Sequence, residues 1–264
     1  MIANYHTHTK RCMHAIGEDR EYVERAIAEG IKVLGFSDHG PMPYKNYESY
    51  YKMTLGELPE YINSVSTLRD EFADKIKIHI GLEVEYYPSL WEQSLRLWNK
   101  YPVEYLLLGQ HFVGEETDPR PDPAPRGSAD EKRLIQYVDR ATFAIETGRI
   151  TYIAHPDLLN YTGADMNLYL DEMSRLIDVA KAHSMPLEYN LLGVAAGRAY
   201  PRREFFEEVA RRGANVIIGC DAHEPYRVAD KTELKRAYRE LESIGVNVVE
   251  DVKLVYPFFG IEKE

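Results

Sequence analysis

Cysteine is nearly missing from this chain of 264 residues: Cys12 and Cys220 are the only two. A disulfide framework is therefore excluded as the source of its stability, and a reducing, cytoplasmic setting is the expectation. Long apolar runs are missing too. None approaches the roughly 18 residues of a membrane span, and the opening Met-Ile-Ala-Asn-Tyr-His has neither the basic nor the apolar part of a signal peptide. Positive charge is in deficit. A formal net charge of −11 argues against nucleic acid as the main partner. It leaves room for a small phosphorylated substrate, because bound cations reverse the local sign. No repeat of roughly 20–50 residues is evident, and nothing in the sequence sets an oligomeric state. A chain of this length buries about three-quarters of its unfolded surface, so no metal is needed merely to create a core.

What is present is an alternation. Short runs rich in branched or aromatic residues predict strands over Ile2–Tyr5, Lys32–Phe36, Ile76–Leu82, Tyr105–Leu108, Ile150–Ala154, Pro186–Tyr189 and Asn215–Gly219. Helical patterns lie between them. Arg20–Glu29 ends at Gly30, and Leu134, Val138, Ala141 and Ile145 form an apolar stripe ahead of Gly148. Leu176, Ile177 and Ala180 precede Pro186, and Phe205, Phe206, Val209 and Ala210 line a helix stopped near Gly213. Such alternation demands parallel strands. The expectation is an α/β fold, a distorted barrel of about seven strands spanning 1–264 as one domain. Asp118–Gly127 is rich in proline, but it lies inside the alternation and reads as a long active-site loop. The tail Tyr256-Pro-Phe-Phe-Gly is apolar enough to pack on the outside of the barrel.

Seven of the nine histidines fall where these runs end: His6, His8, His14, His39, His111, His155 and His223. Asp38, Glu83, Asp157 and Asp221 stand among them. Imidazole and carboxylate are ligands of Zn, Mn and Fe, and the loops after barrel strands converge on one site. His6-Thr-His8 and Asp221-Ala-His223 each place two side chains on one strand face, and barrel closure brings the first and last strands together. Glu83 has the opposite parity to Ile76, Ile78 and Ile80, so it leaves the apolar face; its two oxygens make it the candidate bridge between cations. Glu85 shares that parity but reads as a solvated rim residue, and His79 as a residue of the barrel floor. His183 reads as a helix-terminal cation. Cys220 reads as packing, and a thiolate from Cys12 fits poorly among so many hard ligands.

Tyr-His6-Thr-His8-Thr with Cys-Met-His14-Ala, Phe-Ser-Asp38-His39-Gly, Gly-Leu-Glu83, Gly-Gln-His111, Ala-His155-Pro-Asp and Cys-Asp221-Ala-His223 together resemble the polymerase-and-histidinol-phosphatase superfamily, most closely its histidinol-phosphatase branch. The likeness runs from residue 1 to about 225. It implies a distorted seven-stranded barrel and a trinuclear centre of divalent Zn, Mn or Fe ions. His6, His8, Glu83 and Asp221 would hold one ion, and Glu83, His111 and His155 a second. His14, His39 and His223 would hold the third. The branch often carries phosphate-binding arginines where this chain reads Asp157-Leu-Leu-Asn160 and Glu188-Tyr-Asn190-Leu-Leu-Gly193. Arg198 and Arg227 are the replacements, with Asn190 a further candidate contact.

These residues suit hydrolysis of L-histidinol phosphate by a metal-bridging hydroxide, framed by Glu83 and Asp221, with no phosphoenzyme. Asp38 either donates a proton to the leaving alkoxide or orients a ligand. Tyr44, Tyr47, Tyr50 and Tyr51 either cover an imidazole-bearing substrate or pack as an ordinary loop. The nearest rival is a phosphatase or phosphodiesterase for another small ester, such as a sugar or nucleotide phosphate. A nuclease or editing domain is disfavoured by the acidic charge. Metal-dependent C–N hydrolysis lacks its bridging lysine at a strand end. A non-catalytic metal binder would not need so complete a ligand set.

Overall fold

The computed structural model describes residues 1–262. Parallel strands form one sheet in chain order: β1 (Ala3–Asn4), β2 (Val33–Phe36), β3 (Lys77–Val84), β4 (Tyr105–Leu108), β5 (Tyr152–Ile153), β6 (Leu187–Asn190), β7 (Asn215–Gly219) and β8 (Asn247–Val249). Around it run α1 (Asp19–Glu29), α2 (Leu58–Glu71), α3 (Trp91–Trp98), α4 (Glu131–Glu146), α5 (Met166–Ala182), α6 (Leu191–Ala196), α7 (Arg203–Arg212) and α8 (Lys231–Ile244). The sheet curls until its ends meet. His8 N–H donates to the Ala222 carbonyl at 3.0 Å, beyond β1 and β7, while Ala3 N–H donates to the Glu250 carbonyl at 3.2 Å below. This is a distorted β/α barrel, with β8 wedged into the seam at its lower end only.

All seven expected strands are present, and β4 and β7 have the expected bounds. The eighth was not expected. It is three residues long and its side chains are exposed or half-buried, so it carries neither the length nor the burial pattern that marks a strand. Among the described residues, no helix is long and apolar enough to cross a membrane. The tail packs in part: Phe258 is buried, while Phe259 stays half-exposed beneath the Arg149 guanidinium at 4.2 Å. The expected domain runs to Glu264, and its last two residues lie outside the described ones.

Parity in β3 sets the site. Ile78, Ile80 and Leu82 are buried on one face, whereas His79, Gly81, Glu83 and Glu85 share the other. At the barrel floor His79 pairs with Glu104 at 2.9 Å and lies beside the Tyr5 ring, as its floor position implied. Above it the Tyr105 ring occupies the space that a side chain on Gly81 would need. A Cβ there would lie 2.3 Å from Tyr105 Cζ. The Tyr105 hydroxyl donates to the Tyr5 carbonyl at 2.8 Å and lies 3.1 Å from that of Phe36. One ring thus ties three strands together and closes the floor beneath the ligands.

Gly81→Ala should therefore cost about 1–3 kcal/mol, the scale of overpacking a filled core. Gly56→Ala, whose added Cβ would meet only Thr54 Oγ1 at 3.9 Å, should stay within about 0.5 kcal/mol. Urea midpoints of the two variants decide it; equal midpoints would mean that the Tyr105 ring gives way freely.

Candidate metal centre

The upper end of the barrel gathers the histidines onto Glu83, which is fully buried. Glu83 Oε2 lies 3.6 Å from His6 Nε2 and 3.6 Å from His8 Nε2. Asp221 Oδ1 completes that group, 3.5 Å from His6 Nε2 and 3.1 Å from His8 Nε2. Four ligands at zinc-like distances around one ion are about 3.3–3.6 Å apart along the edges of a tetrahedron. The spacing fits. On the other side, Glu83 Oε1 lies 2.9 Å from His155 Nε2 and 3.6 Å from His111 Nε2. The carboxylate therefore offers one oxygen to each of two groups, as a bridge requires.

A third group lies toward the mouth. The His14 ring centroid is 4.6 Å from that of His223 and 5.2 Å from that of His39. His39 also reaches back to Glu83, with Nδ1 2.9 Å from Oε2, and His8 stacks on His223 at 4.0 Å. Cys12 belongs to this neighbourhood: its thiol falls with His14 and His223 in a group whose ligand atoms lie within 4.8 Å of one another. Burial, then Asp38, holds that thiol above its usual range, so it stays protonated unless a cation displaces the proton.

Most of the rings are oriented from behind. His6 Nδ1 meets Glu188 Oε1 at 2.8 Å and His8 Nδ1 meets Asp38 Oδ1 at 3.3 Å. His14 Nδ1 lies 2.7 Å from the Cys12 carbonyl, and His223 Nδ1 lies 3.1 Å from that of Asp221. A ring whose Nδ1–H is donated backward presents a bare Nε2 lone pair forward, the tautomer a ligand needs. His223 Nε2 is buried without a hydrogen bond, and Glu83 Oε2, although close to His39 Nδ1, accepts none of good geometry, so both have room for a partner of another kind. These donors fit divalent cations.

Charge follows the same division. Burial opposes ionisation of Glu83, yet His39, His111 and His6 hold it well below the usual carboxylate range. Asp221 is likewise held down, against burial, by His6, His8 and His223. Burial and the nearby His8 push His223 down to about 3. Burial pushes His6 down as well, but Glu188, Asp221 and Glu83 outweigh it and raise it. The site is a set of ionised carboxylates interleaved with imidazoles.

Above this floor opens a cavity of about 590 Å³. His14, His39, His111, His223 and Asp221 border it, with Tyr51, Phe112, Pro123, Pro125 and Leu192 forming apolar walls. Arg198 and Arg227 both reach it. The Arg198 guanidinium donates to the Tyr200 hydroxyl at 2.6 Å, and Arg227 is held only loosely, 3.7 Å from Glu224 and 3.6 Å from Asp230.

Two expectations need correction, and a third narrows. Asn190 does not border the cavity: it is fully buried and donates to Glu188 Oε2 at 2.8 Å and Asp221 Oδ2 at 3.1 Å, so it braces a ligand. Asp38 is also fully buried, with Oδ1 accepting from His39 N–H at 2.8 Å and Oδ2 from Thr9; it faces His8 and not the cavity. Of its two expected roles, orientation is the one this geometry permits. Glu85 is not a solvated rim residue but is buried, accepting from Lys52 at 2.8 Å and from the Tyr87 hydroxyl. Sequence reasoning also missed Glu188, whose carboxylate additionally accepts the His155 N–H at 2.9 Å. Its signal was present: it shares parity with Asn190 on a short strand, where a buried acid needs a cationic or donor partner.

The PHP domain model matches residues 4–191. A probable histidinol-phosphatase of Deinococcus radiodurans is 29% identical over 258 residues, covering 94% of this chain and 95% of that protein. One from Schizosaccharomyces pombe is 25% identical, covering 93% of this chain and 88% of the relative. The crystal structure of histidinol phosphate phosphatase from Lactococcus lactis, complexed with zinc, L-histidinol and phosphate, superposes with a TM-score of 0.73. It covers 97% of both chains at 18% identity, so the likeness is one of fold. A family model that spans the first six strands and six of the seven strand-end histidines leaves one conclusion: the chain belongs to the PHP domain family.

Proposed function

We propose that this protein is a metal-dependent phosphomonoesterase that hydrolyses L-histidinol phosphate to L-histidinol and phosphate, a step of histidine biosynthesis in the cytoplasm. The whole chain, 1–264, acts as one metallophosphoesterase barrel. A single observation carries the reading: Glu83 turns one oxygen to each of two imidazole groups beneath a cavity that also receives Arg198 and Arg227. The similarity to probable histidinol-phosphatases along nearly the full length supports the substrate.

Three divalent ions, Zn, Mn or Fe, would be held by His6, His8, Glu83 and Asp221, by Glu83, His111 and His155, and by His14, His39 and His223. Bound there, they supply the Lewis acidity that activates water and neutralises phosphoryl oxygens. The chain's own residues do the rest. Glu188 and Asp38 hold His6 and His8 in register, and Asn190 steadies Asp221. Arg198 and Arg227 bind the phosphate from the mouth, and the apolar walls accept the imidazole-bearing alcohol while excluding water. Another small phosphate ester is the rival reading. It gains weight from Asp157–Asn160 and Glu188–Gly193, where no arginine stands.

Elemental analysis of protein saturated with Mn or Zn should find up to three ions per chain; saturation at one would overturn the three-group assignment. Glu83→Gln keeps the size of the side chain but removes the shared charge, and should lower turnover about 100-fold or more. Unchanged turnover at full metal content would remove Glu83 from the bridge. L-histidinol phosphate should be hydrolysed with higher kcat/KM than p-nitrophenyl phosphate; equal values sink the histidinol reading. Arg198→Ala should lower kcat/KM for every phosphomonoester roughly tenfold to a hundredfold, chiefly through KM, with metal content intact.

A further inference from the structure

Departure of an alkoxide from phosphate needs a proton or a strong hydrogen bond at the ester oxygen. With Asp38 turned inward to His8, that donor must come from elsewhere on the cavity wall. Lys52 is the exception among its lining groups: a buried ammonium, 4% exposed, that is no metal ligand in any of the three groups. It donates to Glu85 Oε1 at 2.8 Å and to Glu116 Oε2 at 2.5 Å. An ammonium has three N–H bonds, so one is left without a carboxylate, and Nζ lies 5.8 Å from the centroid of the Phe112 ring on the cavity wall. Glu85 Oε1 also lies 3.6 Å from His111 Nδ1, which places Lys52 one carboxylate oxygen away from a residue of the second group.

The surroundings keep that ammonium charged. Burial opposes the charge, but Glu85 and Glu116 more than offset it and raise Lys52 above the usual lysine range. Glu116 is fixed in turn by hydroxyls of Tyr44 at 2.9 Å, Tyr47 at 3.2 Å and Ser49 at 2.5 Å, and Glu85 by Tyr87. Two tyrosines of the loop that follows His39 therefore serve to hold the base of Lys52. The remaining candidates on the wall are weaker: Tyr51 is 55% exposed, and Glu224 lies against Arg227.

We propose that Lys52 is a catalytic residue that donates its free N–H to the ester oxygen of the departing alcohol. The proposal rests on the phosphomonoesterase reading. Water oxygen forms a new bond to phosphorus and loses a proton to solvent. The bond between phosphorus and the ester oxygen breaks, leaving its electron pair on that oxygen. A proton passes from Lys52 Nζ to it, giving the neutral alcohol, and the amine regains a proton from solvent. An alkoxide is a stronger base than the Lys52 amine, so the transfer runs downhill once the bond has lengthened.

The test is leaving-group dependence in the metal-loaded, full-length protein. Lys52→Met should lower kcat/KM for an alkyl ester, L-histidinol phosphate or glycerol phosphate, by about 10²–10⁴-fold. For p-nitrophenyl phosphate, whose phenolate departs unaided, the loss should stay below about tenfold by the same argument. Metal content should not change. Because Lys52→Met leaves two buried carboxylates facing each other, the double variant Lys52→Met with Glu116→Gln is measured beside it. The wild-type protein gives a reading that depends on no variant: its kcat across aryl and alkyl phosphates other than L-histidinol phosphate should be nearly independent of alcohol basicity. Equal losses for both esters, or a steep wild-type dependence, overturn the role of Lys52 alone. Hydrolysis of neither ester by the wild type overturns the phosphomonoesterase reading with it.

Discussion

The buried charge of Glu83 is the constraint on which the rest of the structure depends. A carboxylate in a barrel interior costs several kcal/mol unless opposite charge or donors surround it. Here His155 and His111 face one oxygen, and His39, His6 and His8 the other. Those five rings come from loops after β1, β2, β4 and β5, separated by up to about 150 positions in the chain. Closure of the sheet is what sets them around a single β3 side chain. Cations held among them would complete the balance, which couples metal binding to the stability of the upper barrel.

Room for these groups is made by glycine. A Cβ on Gly109 would lie 1.9 Å from Glu83 Oε1, and one on Gly219 would lie 1.8 Å from Glu188 Oε1. Both are backbone positions at strand ends where the neighbouring strand sends a carboxylate across. The same economy recurs lower down, where Gly35 and Gly81 admit Tyr105. Large interior side chains are thus met by missing ones on nearby strands, and that matching fixes where Glu83 and Glu188 can stand.

Much of this was legible in the sequence, and for a physical reason. A metal ligand must be of a few residue types and must sit where a strand hands over to a loop, so His6, Glu83, His155 and Asp221 betray themselves by type and place. Orienting residues carry no such mark. Glu85, Glu188 and Asn190 share strand parity with ligands, but only the tertiary structure says whether such a side chain meets solvent, a histidine or a lysine. Glu85 was misread on that account. Lys52 and Glu116 lie in loops of irregular structure, more than sixty positions apart, and nothing in either segment announces the other. The strand β8 was missed because three residues, one exposed and two half-buried, have too little pattern to read.

An acidic chain can still hold an anionic ester because sign is a local property. Exposed charges are screened within about 8 Å at physiological salt, so the net −11 does not reach into the cavity. There the carboxylates lie among imidazoles, and Arg198 and Arg227 border the cavity. The opposite wall is stiff. Arg133, almost fully buried, donates to Asp122 at 2.9 Å and to the Arg126 carbonyl at 2.8 Å, while Ala124 N–H donates to the His111 carbonyl at 2.7 Å. The proline-rich loop is thereby anchored to a candidate ligand and presents Pro123 and Pro125 as a fixed apolar face. Such a face discriminates only weakly between alcohols of similar size, by about 1–3 kcal/mol per methylene. Stronger selection has to come from polar groups that a wrong alcohol would leave unpaired. The two arginines and the ammonium of Lys52 meet the phosphate and the ester oxygen, which every phosphomonoester carries, so they select the ester class, and selection among alcohols falls to the other polar groups on the wall, Glu85 and Glu224.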